Sequence, residues 1–257
     1  MTPFGFDRRC VEIITQATLL AEHLDGADAT VAVPTCPGWN VSQLCRHVDG
    51  GLRWARDIVA TGATEPPPDT ALRELSGAKD DDPARLAESL QEAAAALVAT
   101  LQRAGPAAQM WCPVPGGGAA FYARRFVHET AAHRADAAFA LGLPFTLAAD
   151  VAGDGVEEWL DLGSMPFHFD VHPWMRELLG PGRRIGLHTT DTGAHWLLDL
   201  TGDAITWRRG DEPAAADVRG PVTDLLLALY RRLPITALKV SGDTGLVDFW
   251  LERVAFG

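Results

Sequence analysis

The sequence predicts an α+β protein in two parts: a four-helix bundle over residues 1–148, then a smaller α+β domain over residues 149–257. Three observations carry this. The first half reads as four helical stretches, each with one apolar stripe and recognisable start and stop signals. The second half changes to short β-like runs separated by turn residues, with helical stretches around them. Between the halves, LPFTLAADVAGDG (143–155) marks the boundary.

Helix 1 is expected over 7–25, with Val11, Ile14, Thr18 and Leu19 at helical spacing and His23 and Leu24 closing it. The turn VPTCPGWN (33–40) follows, broken by Pro34, Pro37 and Gly38. Asn40 is then a good N-cap, Gln43 completes a capping box, and Trp39 with Leu44 makes a hydrophobic staple. That helix should run to about residue 60. A Pro-rich acidic loop (EPPPDT, then KDDDP) leads to Asp82, which caps a third helix over 83–104 with Pro83 at its first position. The fourth helix, 119–142, ends at GLP. In the second half, helical stretches near 151–162 and 172–179 precede the β-like runs RIGLHTT, HWLLDLT and AITWRRG. A helix over 221–232 beginning at Pro221, a short strand ALKV, and a last helix over 244–254 complete the chain.

Composition narrows the function classes. The formal net charge of −12 argues against nucleic acid or an anionic membrane as a partner. No apolar run reaches the length of a membrane span, and MTPFGFDRRC lacks the order of a secretory signal, so the expected location is the cytoplasm. Cys10, Cys36, Cys45 and Cys112 form no CxxC pair and are expected to be free, structural thiols.

The chemistry concentrates in HETAAHRADA (128–137). Glu129 and His133 are four apart, so a helix sets them on one face, among Phe126, Thr130, Ala137 and Ala140. The second helix repeats the anomaly: His47 falls inside the stripe Leu44, Val48, Gly51, Trp54, Ala55, Ile58. An apolar-facing carboxylate must be protonated, paired with a base, or bound to a metal. Arg125, one turn before Glu129, offers a structural ion pair. The combined set favours a metal: two histidines and one carboxylate, leaving positions open as catalytic zinc sites do. The zinc-protease motif is excluded, because His128 and His133 are five apart and point to different faces. His128 is therefore expected at the surface or behind the ligands. Asp136 is either an orienting partner of His133 or a solvated helix charge.

VPTCPGWNVSQLCRHVDG and RFVHETAAHRADAAFALG resemble the two N-terminal signatures of the mycothiol-dependent maleylpyruvate isomerase family, within the DinB-like bundle superfamily. GPVTDLLLALYRRLP and VSGDTGLVDFWLERV resemble that family's C-terminal, sterol-carrier-like domain. The resemblance implies metal ligands at His47, Glu129 and His133, with zinc the expected ion and nickel or another divalent ion compatible with the same donors. It implies mycothiol as the thiol cofactor or co-substrate, held on the metal as its thiolate. The nucleophile then comes from the cofactor and not from a cysteine of the chain. Both a cis/trans isomerase and an S-transferase would begin this way. It further implies that Arg232 helps bind a small electrophilic or acidic substrate. The family's Gly-Arg-Leu-Pro is here Arg231-Arg232-Leu233-Pro234, with arginine in the glycine's place. An exposed helix-end arginine is the competing reading of Arg232.

Three other features of the sequence carry polar or flexible residues. PVPGGG (113–118) lacks the ending of a phosphate loop and reads as a connector. His168, Asp170 and His172 would share a face if MPFHFDVHPW (165–174) were a strand, but the stretch reads as an irregular connector. Cys36 and Cys45 are expected to be buried small hydrophobes. Two alternatives to the thiol-dependent enzyme stay open: a non-enzymatic module that binds a small molecule around a structural metal, and a hydrolase using metal-bound water.

Overall fold

A computed structural model describes residues 4–66 and 82–254. Most of the acidic loop between the second and third helices lies outside the described residues. The chain divides into two compact units, Met1–Phe145 and Thr146–Gly257.

The first unit holds α1 (Phe6–Glu22), α2 (Val41–Thr61), α3 (Pro83–Ala104) and α4 (Ala119–Ala140). Helices α1 and α2 each pack on both α3 and α4. The expected starts are present. Asn40 Oδ1 accepts from the Gln43 amide at 2.8 Å while Gln43 Oε1 accepts from the Asn40 amide at 2.9 Å, and Asp82 accepts from the Ala84 amide at 3.1 Å.

Helix α1 turns a different face inward from the one expected. Val11 and Ile14 are 57% and 41% exposed, while Cys10, Ile13, Ala17 and Leu20 are buried. Two polar residues share the buried side. Glu12 accepts from Arg8 and from Gln16 Nε2, and Gln16 in turn accepts from Arg134 Nε on α4 at 2.7 Å. Burial lowers the Arg134 guanidinium to about 10. That buried relay ties α1 to α4 and sets its orientation. Helix α4 itself has no single apolar stripe. It is buried almost all round, including His128, Arg134 and Asp136, because small alanines let its neighbours close in on several sides.

The second unit carries a five-stranded sheet in the order β3-β2-β1-β4-β5. Its strands are β1 (Arg184–Thr189), β2 (His195–Asp199), β3 (Thr206–Arg209), β4 (Ala216–Gly220) and β5 (Lys239–Gly242). Strands β1 and β4 are parallel; the other pairs are antiparallel. Strand β4, ADVRG, was not expected from the sequence. It offers no run of large apolar residues, and its place is fixed by pairing on both edges.

Before the sheet come α5 (Ala149–Gly163), a single turn α6 (His168–Val171) and a 3₁₀ segment, Pro173–Leu178, where a longer helix over 172–179 was expected. Helices α7 (Val222–Leu229) and α8 (Thr244–Arg253) complete the unit. Ile185, Leu187 and Val218 from the sheet join Val156, Trp159, Leu225 and Trp250 from the helices in one core.

Helix α7 ends in a Schellman motif. The Arg231 amide donates to Ala228 O at 3.0 Å and the Arg232 amide to Leu227 O at 2.8 Å. This closure needs a left-handed residue at its centre. Arg231, at φ 59°, is the only non-glycine with positive φ among the described residues. The geometry gives a physical reason for the glycine that the Gly-Arg-Leu-Pro pattern carries there. Arg231→Gly is expected to stabilise the protein by about 1 kcal/mol, which raises the melting temperature by roughly 3 °C. Differential scanning calorimetry checks this; a fall would mean that the contact from the Arg231 guanidinium to Leu251 O outweighs the backbone strain.

Candidate metal centre

The site is built on α2 and α4. At Gly51, a Cβ would lie 3.3 Å from the Phe126 ring. Glycine therefore lets α2 come close to α4 one turn beyond His47 and one turn before Glu129. At that approach, His47 Nε2 lies 3.3 Å and His133 Nε2 lies 3.2 Å from the same oxygen, Glu129 Oε1. Ligand atoms of His47, Glu129 and His133 all fall within 4.8 Å of one another. The three residues singled out by helical spacing are brought together.

Arg125 joins them as well. Its NH2 lies 3.2 Å from Glu129 Oε2, the other carboxylate oxygen. Ion pair and donor triangle thus coexist on one carboxylate. Burial works against the charge on Glu129. His133, His47 and Arg125 outweigh it and hold the carboxyl well below the usual range.

Behind His133 lies Asp136, which is fully buried. His133 Nδ1–H donates to Asp136 Oδ2 at 2.9 Å. Thr35 Oγ1 donates to Asp136 Oδ1 at 2.6 Å, and Cys36 Sγ donates to Oδ2 at 3.4 Å. Asp136 is therefore an orienting partner and not a solvated charge. With Nδ1 committed to Asp136, Nε2 is the His133 nitrogen that faces Glu129 and that an ion would take once its proton has left. Burial opposes the charge on His133, but Asp136, Cys36 and Glu129 push the imidazole well above its usual value.

The turn before α2 supplies Thr35 and Cys36. Val33 N–H donates to Trp39 O at 2.9 Å and Trp39 N–H to Cys36 O at 3.0 Å, a reversal that uses Gly38 at φ 86°. The same reversal places the Trp39 ring 4.9 Å from the His47 ring and 6.4 Å from that of His133. Trp39 thus packs over both imidazoles. Cys36 is half-buried and forms a second donor grouping with His133 and Asp136, so it is more than a buried apolar filler. Cys45 is the buried small side chain expected, and burial pushes its thiol up to about 12 and that of Cys10 to about 11. Neither supplies a thiolate at neutral pH.

Other candidates lie elsewhere. His128 is buried in the bundle and not at the surface; among the described residues it is in neither donor grouping. His168, Asp170 and His172 stand on a helical turn and its end, and likewise form no donor grouping. Arg232 is in the second unit, half-buried, with NH1 donating to Tyr230 O at 2.8 Å.

Two imidazole nitrogens and one carboxylate oxygen in this arrangement fit a divalent ion such as zinc. The signs of the two pKa shifts give a pH expectation. His133 is raised, so its stabilising charge is present below the usual histidine value and lost as pH climbs past the raised one. Glu129 is lowered, so its contribution is present above the usual carboxylate value and lost only in acid. An ion must displace the His133 proton. The stability gained on adding zinc should therefore grow as pH rises from about 6 to about 8, as followed by thermal denaturation with and without a chelator.

A family model described as the mycothiol maleylpyruvate isomerase N-terminal domain matches residues 10–138, half of the chain. A crystal structure of the mycothiol-dependent maleylpyruvate isomerase is similar over 94% of this chain and 96% of its own, at 16% identity and a TM-score of 0.63. A structure of a point mutant of that isomerase is similar over the same shares, at 15% identity and a TM-score of 0.64. At these identities the structural likeness speaks for the shared α+β fold. No curated protein sequence matches the chain. Among the described residues, no helix is long and apolar enough to cross a membrane. With half its length matched by that family model, the chain belongs to the mycothiol maleylpyruvate isomerase N-terminal domain family.

Proposed function

We propose that this protein is a cytoplasmic, metal-dependent enzyme that uses mycothiol, acting as a cis/trans isomerase of the maleylpyruvate isomerase kind or as a mycothiol S-transferase. The observation that carries the reading is the convergence of His47, Glu129 and His133 within a chain of that family. A bound divalent ion, zinc by preference, would supply the chemistry of holding a thiol as its thiolate at neutral pH.

The chain's own residues would do the rest. His47 Nε2, His133 Nε2 and Glu129 Oε1 would hold the ion. Asp136 keeps the proton of His133 on Nδ1, so Nε2 stays a donor to the ion. Trp39 packs against the imidazoles, its ring 4.9 Å from that of His47. Arg232 would bind the carboxylate of a small acidic or electrophilic substrate, as a planar fork suited to that group.

The test is a thermal shift with mycothiol. Mycothiol is expected to raise the melting temperature of the zinc-loaded protein and to leave the chelated protein unmoved. No shift under zinc-loaded conditions would overturn the reading and favour a binding module built around a structural metal. Activity on maleylpyruvate against transfer to an electrophile then separates isomerase from transferase.

A further inference from the structure

Glu129 divides its two oxygens between different tasks. Oε1 lies 3.3 Å from His47 Nε2 and 3.2 Å from His133 Nε2, while Oε2 lies 3.2 Å from Arg125 NH2. Arg125 sits one turn away on the same helix, so the pairing spans little flexible chain. Its side chain is only 18% exposed, which limits screening by water. A carboxylate ligand can give a metal one oxygen or both. With three protein ligands, a second oxygen would fill a position that an incoming group needs.

We propose that Arg125 is a positioning residue that holds Glu129 Oε2 away from the donor triangle, so that Glu129 binds through Oε1 alone and one coordination position stays open for the thiol. This rests on the metal-centre reading above. It gives Arg125 a role beyond that of an ion pair which merely compensates a buried charge: the pair sets the number of oxygens the ligand offers. The second oxygen is held by a charge-assisted hydrogen bond, and releasing it costs that bond. Arg125→Gln shortens the side chain and removes the charge, so Oε2 is free to swing inward. Arg125→Lys keeps a charge but offers no planar fork, and should preserve the arrangement in part.

The test uses the full-length protein loaded with cobalt(II), whose visible absorption reports coordination number. Cobalt bound per chain is measured first for wild type, Arg125→Gln and Arg125→Lys. All three are expected to bind it. The visible bands of Arg125→Gln should shift in position and intensity relative to wild type, as a second carboxylate oxygen takes the open position in place of solvent, and mycothiol should bind it at least tenfold more weakly. Arg125→Lys should fall between. A wild-type spectrum and wild-type thiol affinity in Arg125→Gln would overturn this inference and leave the metal centre standing. Loss of cobalt from a folded Arg125→Gln would also overturn it, because Arg125 would then hold the ligand itself and not its binding mode. A wild-type protein that takes up no cobalt would overturn both.

Discussion

Glu129→Ala and His47→Ala are each expected to strip the protein of tightly held divalent metal. Every donor in the triangle meets at Glu129 Oε1, so losing that oxygen breaks the arrangement at its centre. Losing His47 removes the only one of the three that α2 contributes. The size of the effect can be bounded. Structural zinc sites with four ligands bind by about 10 kcal/mol or more. Shared out, one ligand is then worth roughly 2.5 kcal/mol, or a factor on the order of a hundred in affinity. With only three protein ligands, that loss should take metal content after dialysis to background. Elemental analysis measures it, and circular dichroism establishes that the variants fold. In Glu129→Ala, His133 loses one of the partners that raise its pKa but keeps Asp136, so the bundle should stay assembled. Wild-type metal content in either variant would sink the assignment of the site.

The second large effect is expected from Asp136→Asn. Asp136 is fully buried and accepts from three donors: His133, Thr35 and Cys36. An amide of the same shape can accept on one side only and must donate on the other. The His133 ring is then free to carry its proton on Nε2, where the ion needs a lone pair. Partners of this kind are typically worth 10–100-fold in metal affinity. Asp136→Asn is therefore expected to weaken zinc binding by about 30-fold with little change in fold, read by competition with a chromogenic chelator. A second signature separates orientation from general damage: the dependence of zinc affinity on pH should weaken, because without the Asp136 carboxylate His133 is raised less and gives up its Nε2 proton more readily. Unchanged affinity would make Asp136 a fold-stabilising residue and nothing more.

How much of this was legible in the sequence depended on which signal each residue gave. The convergence of His47, Glu129 and His133 was legible because polar side chains at helical spacing inside an apolar stripe have few explanations. The caps at Asn40 and Asp82 were legible because capping is local chemistry. The inward face of α1 was not. Val11 and Ile14 are strong hydrophobes, yet Glu12 and Gln16 lie on the buried side because Arg134, more than a hundred residues away, donates to Gln16, which in turn donates to Glu12. A pattern of hydrophobicity cannot register a partner that distant. Strand β4 was hidden for a related reason: Ala216, Asp217 and Arg219 have little strand preference, and pairing with β1 and β5 decides the matter. Asp136 stood at the right spacing from His133, but its burial required knowing that α4 is enclosed. Thr35, Cys36 and the place of Trp39 over the imidazoles depend on the fold of one turn, which only the carbonyl-to-amide contacts of residues 33–39 reveal.

The central claim is that the donors on α2 and α4 hold an ion with room for a thiol from outside the chain. Titrating mycothiol into the cobalt-loaded protein tests it most directly. A sulfur-to-cobalt charge-transfer band in the near ultraviolet, rising with thiol and saturating with the binding curve, is the predicted result. Saturable mycothiol binding to the cobalt-loaded protein without that band would contradict the account.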